Sequence, residues 1–106
     1  MIKRILLVLF IFSVSLFCET PSELFEKGMD DIVSERITEG ILKLRTVYLK
    51  YPSSEYAEKA RYYTGYYAED IFQQNVEFED FLKKYPSSEF AEEVLYSLGL
   101  NNYVLM

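Results

Sequence analysis

One eight-residue block occurs twice, 34 residues apart, and it constrains this chain more than any other feature. Tyr51-Pro52-Ser53-Ser54-Glu55-Tyr56-Ala57-Glu58 returns as Tyr85-Pro86-Ser87-Ser88-Glu89-Phe90-Ala91-Glu92. The equivalence continues through Tyr62/Tyr96 and Gly65/Gly99. A period of about 34 residues is that of a helix–turn–helix unit that cannot bury its apolar face alone and must stack on its neighbours. Each proline ends a helix, because it lacks an N–H and biases the residue before it toward extended geometry.

The helices follow from these stops. Thr20-Pro21-Ser22-Glu23 reads as a helix start: Thr20 caps, Pro21 takes the first helical position and Glu23 completes a capping box. The first helix is expected to run to about Val33, with Leu24, Gly28, Met29 and Ile32 inward. The second spans about Arg36 to Lys50, with Ile37, Ile41, Leu44 and Tyr48 inward. Ser53 or Ser54 is expected to cap a third helix reaching about Glu69. A fourth covers about Phe72 to Lys84, with Phe78, Phe81 and Tyr85 inward. Ser87 or Ser88 caps a fifth, which continues to near Met106 with Val94, Leu98, Asn101 and Leu105 inward. No segment alternates with period two, so no sheet is expected. The fold class is all-α, a tetratricopeptide-like (TPR) array of two helical hairpins plus one terminal helix.

Residues 1–18 are a different material. Lys3 and Arg4 precede an apolar run from Ile5 to Phe17, which is interrupted by Ser13 and Ser15. The run is too short for the roughly 20 residues of a spanning helix and fits a secretory signal, with an uncleaved anchor as the alternative. Cys18, the single cysteine, sits where the run stops. A disulfide framework is therefore excluded within the chain. Lipid attachment at Cys18 accounts for a cysteine at that place. Ser15-Leu16-Phe17-Cys18 is an imperfect lipobox, and ordinary cleavage after Ser13-Val14-Ser15 competes with it. The expected organisation is a signal peptide over 1–18 and a helical domain over 19–106, small enough for a partner or a membrane anchor to supply part of its order.

The whole chain carries a net charge of −6, and loss of Lys3 and Arg4 would make it more acidic. That balance argues against nucleic acid as a partner. There is no histidine, which removes the commonest general base and metal ligand. The four glycines are scattered and form no phosphate loop. The acidic clusters Asp30-Asp31, Glu69-Asp70, Glu77-Glu79-Asp80 and Glu92-Glu93 fall at spacings that place most of them on solvated helix faces, although paired carboxylates could in principle serve glycoside hydrolysis. No catalytic residue, cofactor or metal is expected.

Ten tyrosines are the richer signal. At about 100° per residue, Tyr56, Ala60, Tyr63 and Tyr67 share one face of the third helix and are assigned to core. Tyr62 and Tyr66 lie on another face, and Tyr96, Leu100 and Tyr103 continue that stripe on the fifth helix. Two readings stay open: the stripe captures a partner segment, since tyrosine offers large contact area at little rotamer cost, or the rings pack between neighbouring helices. The candidate partner-binding residues are Tyr62, Tyr66, Tyr96, Leu100 and Tyr103. Leu95, Tyr96, Leu100 and Tyr103 also have no following helix in the sequence to cover them, and exposed apolar patches of that kind usually mark a docking surface.

Residues 22–106 resemble the N-terminal part of BamD, the repeat lipoprotein family of the outer-membrane β-barrel assembly machine. The resemblance rests on Ser22-Glu23-Leu24-Phe25, on Tyr51-Pro52-Ser53-Ser54-Glu55-Tyr56-Ala57, on Phe81-Leu82-Lys83-Lys84-Tyr85-Pro86, and on Leu95-Tyr96-Ser97-Leu98-Gly99-Leu100-Asn101-Asn102-Tyr103, in that order. The family has about five repeats and this sequence holds two and a half. The resemblance implies a lipid-anchored protein on the periplasmic face of the outer membrane, without catalysis. Its partners would be β-barrel assembly subunits or unfolded outer-membrane protein clients. A periplasmic TPR adaptor in cell-envelope or peptidoglycan coordination is the alternative.

Overall fold

In the computed structural model, which describes residues 19–105, the chain forms five helices: α1 (Pro21–Val33), α2 (Ile37–Lys50), α3 (Ala57–Tyr66), α4 (Ile71–Lys84) and α5 (Ala91–Leu105). Each packs on the next in sequence, α1 on α2 through to α4 on α5. There is no strand among the described residues. The architecture is the expected all-α hairpin array with one terminal helix.

The start of α1 follows its sequence signal. Thr20 is extended, its Oγ1 accepts the Glu23 N–H at 3.1 Å, and Pro21 occupies the first turn. The α1–α2 turn has no glycine to mark it. Glu35 adopts φ 67°, the left-handed region. Its N–H donates to the Ile32 carbonyl at 3.1 Å, and the Arg36 N–H donates to the Asp31 carbonyl at 2.7 Å. These two bonds are a Schellman closure, with a glutamate where glycine is usual. Asp31 reinforces the turn from within. Its buried carboxylate accepts from the Arg36 guanidinium at 2.9 Å and from the Lys43 ammonium.

Two expected boundaries on α3 need correction. Ser53 and Ser54 do not cap it. Two successive turns follow Pro52, closed by Ser54 N–H to Tyr51 carbonyl (3.1 Å) and Ala57 N–H to Ser54 carbonyl (3.2 Å), and the helix begins only at Ala57. It ends at Tyr66 rather than near Glu69, because Asp70 is taken as the N-cap of α4. Asp70 Oδ1 accepts the Gln73 N–H at 2.8 Å, and that role requires the chain before it to leave helical geometry. The second proline block repeats the delay. Ser88 Oγ accepts the Phe90 N–H at 3.0 Å, and α5 starts at Ala91.

The core has two parts, each built by three successive helices. Ile32, Leu44, Val47, Tyr48, Ala57 and Ala60 form the first, with Leu24, Phe25 and Met29 against it. Tyr62, Phe78, Phe81, Val94 and Leu98 form the second, with Leu82, Tyr85 and Phe90 alongside. Small residues set the helix distances. A Cβ on Gly40 would lie 2.6 Å from the Gly28 carbonyl oxygen, so α1 and α2 cross backbone to backbone. A Cβ on Gly65 would lie 2.5 Å from the Phe78 ring, so α4 seats a phenylalanine directly on α3. Asn101 is inward as expected and donates to Gln74 (2.7 Å) and Asn75 (3.0 Å) of α4. Ile37 and Leu105 are exposed instead of inward. Each lies at the outer end of its helix, Ile37 opening α2 and Leu105 closing α5. No helix among the described residues is long and apolar enough to cross a membrane.

Candidate functional site

The five candidate partner-binding residues divide into one that is core and four that are surface. Tyr62 is only 4% exposed, which corrects its assignment to an open stripe. Its ring stacks on Phe90 (centroids 4.3 Å apart, 13° between planes) and on Phe78 (6.0 Å, 10°), and meets Phe81 edge-on at 6.1 Å. Burial first, and the neighbouring Glu93 carboxylate second, push its phenol well above the usual tyrosine range, so the ring stays neutral. For this tyrosine the packing reading holds.

Tyr66 is half exposed, and Tyr96, Leu100 and Tyr103 are 69%, 50% and 78% exposed. Leu95 and Val104 add to the same helix surface. The contrast between Tyr62 and its repeat equivalent Tyr96 has a simple cause. In α3 that face is covered by α4; in α5 no described helix covers it. Gly99 makes the same point. Its equivalent Gly65 is pressed against Phe78, whereas a Cβ on Gly99 would meet nothing within 4 Å. The first helix of the third unit thus carries the residues of a packed face without the packing.

Tyr66 belongs to an aromatic ladder across the first two units. Phe25 lies 5.5 Å from Tyr56 and 6.3 Å from Tyr63; Tyr63 lies 6.3 Å from Tyr67, which meets Tyr66 edge-on at 4.8 Å. Tyr56, Tyr63 and Tyr67 are half-buried against the first core cluster, in keeping with their core assignment. Tyr66 and Tyr63 lie 6.0 and 5.1 Å from Tyr62, which joins the ladder to the second core, and Tyr66 is its exposed ring.

A groove of about 600 Å³ runs between α2, the end of α3 and the start of α4, lined by Ile37, Ile41, Leu42, Tyr67 and Ala68 among others. Arg45 at its wall pairs with Glu77 at 3.2 Å, and Gln73 donates to the same carboxylate oxygen at 3.1 Å. Sequence reasoning missed this groove. Its signal is the series Ile37, Ile41 and Leu42, and helical periodicity alone sends the first two of these to the core.

The two buried acids among the described residues, Asp31 and Glu77, are both tied to cations. Lys43 and then Arg36 hold the Asp31 carboxyl below its ordinary range, so it is an ion-pair member and not a poised acid. Among the described residues no group of histidine, cysteine and acidic side chains has metal-binding geometry. Cys18, the candidate lipidation site, lies outside the described residues.

A family model described as YfiO, outer membrane lipoprotein, matches residues 18–106. No curated protein and no solved structure matches the chain.

Proposed function

The chain belongs to the YfiO family of outer membrane lipoproteins, and from that premise we propose that it is a non-catalytic accessory of outer-membrane protein assembly, held at the periplasmic face by lipid on Cys18. It works by docking. Its exposed apolar and aromatic surface accepts a segment of an unfolded outer-membrane client or of a β-barrel assembly subunit.

One observation carries the reading: Tyr96, Leu100 and Tyr103 stand exposed on one helix whose opposite side, Val94 and Leu98, is fully engaged in the core. Contiguous apolar surface of this kind on a small acidic domain marks a contact site. Large rings with few rotatable bonds are the side chains that most often dominate contact energy. Tyr66 is a separate exposed ring, on α3. The acidic balance of the chain favours protein partners over nucleic acid.

Two measurements test the proposal together. The tagged protein, crosslinked in cells and recovered, should bring down β-barrel assembly subunits or outer-membrane clients, and Tyr96→Ala with Leu100→Ala should reduce that recovery without loss of helicity. Recovery of peptidoglycan-linked proteins alone would refute the assembly role. Separately, Cys18→Ala should move the protein out of the membrane fraction and abolish labelling by a fatty-acid analogue. Unlabelled wild-type protein that stays in the membrane would refute lipidation there.

A further inference from the structure

Glu19, the residue after Cys18, is already part of the fold. Its backbone carbonyl accepts the Tyr51 hydroxyl at 2.9 Å, and its carboxylate pairs with the Lys27 ammonium at 2.9 Å. The ion pair is exposed and weak by itself, whereas the Tyr51 bond is partly buried and holds the backbone. Thr20 then caps α1 and Pro21 opens it. Tyr51 closes α2 and begins the first proline turn, so the latch ties the chain entering α1 to the far end of α2.

Helices joined by short turns lie antiparallel. The turns at 51–56 and 85–90 therefore fall at the end of the array where α1 starts, and those at 34–36 and 67–70 fall at the other. Asn101, late in α5, bonds Gln74 early in α4, as that sense requires. The α1-start end thus carries both copies of the repeated block. Pro52, Ser53, Glu55, Pro86, Ser87 and Glu89 are exposed there, and none of the large apolar side chains of these two turns is. Lys50, Lys83 and Lys84 end the helices beside them. Small hydroxyls with charges of both signs can bond the phosphates and amines of a phospholipid headgroup layer. We propose that this end of the array is seated on that layer, with the helices standing away from the bilayer. The inference rests on the lipidation of Cys18 proposed above. A lipid one peptide bond from a pinned residue leaves no tether on which the domain can swing. The acidic chain is not drawn to anionic lipid by its charge. The lipid therefore supplies the attachment, and the latch supplies the orientation.

The test uses the lipidated chain purified from membranes and reconstituted into vesicles of phosphatidylethanolamine and phosphatidylglycerol that contain a nickel-chelating lipid. A thiol-reactive spin label is placed at Ser53→Cys or Ser87→Cys, on the seated end, and at Ser34→Cys or Glu69→Cys, on the other; all four positions are exposed. The ends are separated by about the 20 Å length of α1, so contact with the membrane-held nickel should be about threefold or more greater at Ser53 and Ser87. Equal contact at both ends, in a chain whose wild type takes up no label, would overturn the seat and leave lipidation standing. A wild type that is itself labelled has a free Cys18 thiol, which would overturn both. Inserting about ten glycine and serine residues between Cys18 and Glu19 adds a reach of about 17 Å and should erase the difference between the ends. A difference that survives the insertion would overturn the latch as its cause.

Discussion

Tyr62 and Tyr96 are the same position of two successive units, and their truncation to alanine separates core from surface. At Tyr62 the ring contacts Phe78, Phe81 and Phe90 within about one ring spacing and is almost wholly buried. Removing a buried large aromatic costs about 3–5 kcal/mol, part of it from the cavity left between α3, α4 and α5. A domain of this size has roughly 4–13 kcal/mol in all, at about 0.05–0.15 kcal/mol per residue. Tyr62→Ala is therefore expected to use about a quarter or more of the total. Tyr96 is 69% exposed, and its loss should change stability by no more than about 0.5 kcal/mol. Urea unfolding followed by far-UV circular dichroism reads both. With a slope of about 1 kcal/mol per molar, Tyr62→Ala should lower the midpoint by about 3 M or leave no folded baseline, and Tyr96→Ala should move it by about 0.5 M at most. Similar shifts for the two would refute the reasoning, because the α5 face would then be covered and not available for docking.

Two pH dependences follow from the ionisable groups. Asp31 is held below its ordinary value of 3.8 by Lys43 and Arg36. The stability it contributes is present above 3.8 and is lost as pH falls through that value toward the folded one. The melting temperature should therefore drop on that acid limb, and Asp31→Asn should flatten the limb while lowering the melting temperature at neutral pH. Tyr48, Tyr62 and Tyr85 are raised above 10.0, chiefly by burial. Their contribution is complete below pH 10 and declines as pH rises past it, so alkaline unfolding should set in there, and Tyr62→Phe should weaken the pH dependence.

Much of the fold was legible because proline and the capping threonine act locally. Pro52 and Pro86 stop α2 and α4 wherever the chain goes next, and Thr20 needs only the N–H three residues on. The inward faces of α4 and α5 were legible too, since Phe78, Phe81, Val94 and Leu98 recur at helical spacing. The place of the α1–α2 turn was legible as well, but its closure was not, because its left-handed residue is Glu35 and not glycine. The end of α3 was not, because Asp70 serves the following helix and the choice between two helices is made by both at once. The facing of α3 was legible only in part: Tyr56, Ala60, Tyr63 and Tyr67 follow their core assignment, while Tyr62 lies in the second core. Tyrosines occupy several sides of it, so apolar periodicity cannot choose among them. The choice is made by its small residues, Ala57, Ala60 and Gly65, which let neighbours close in and bury the ring beside them. On α5 the same reasoning succeeds, because Val94 and Leu98 claim the core and leave Tyr96, Leu100 and Tyr103 outside.

The open face of α5 is, on this reading, where the chain meets its partner. Site-specific photocrosslinking in living cells tests that claim most directly, with the crosslinker placed in turn at Tyr96, at Tyr103 and at Phe72, an exposed residue on α4. Adducts containing a β-barrel assembly subunit or an outer-membrane client are expected from Tyr96 and Tyr103, and none from Phe72. Adducts from Phe72 with none from either α5 position would contradict the claim.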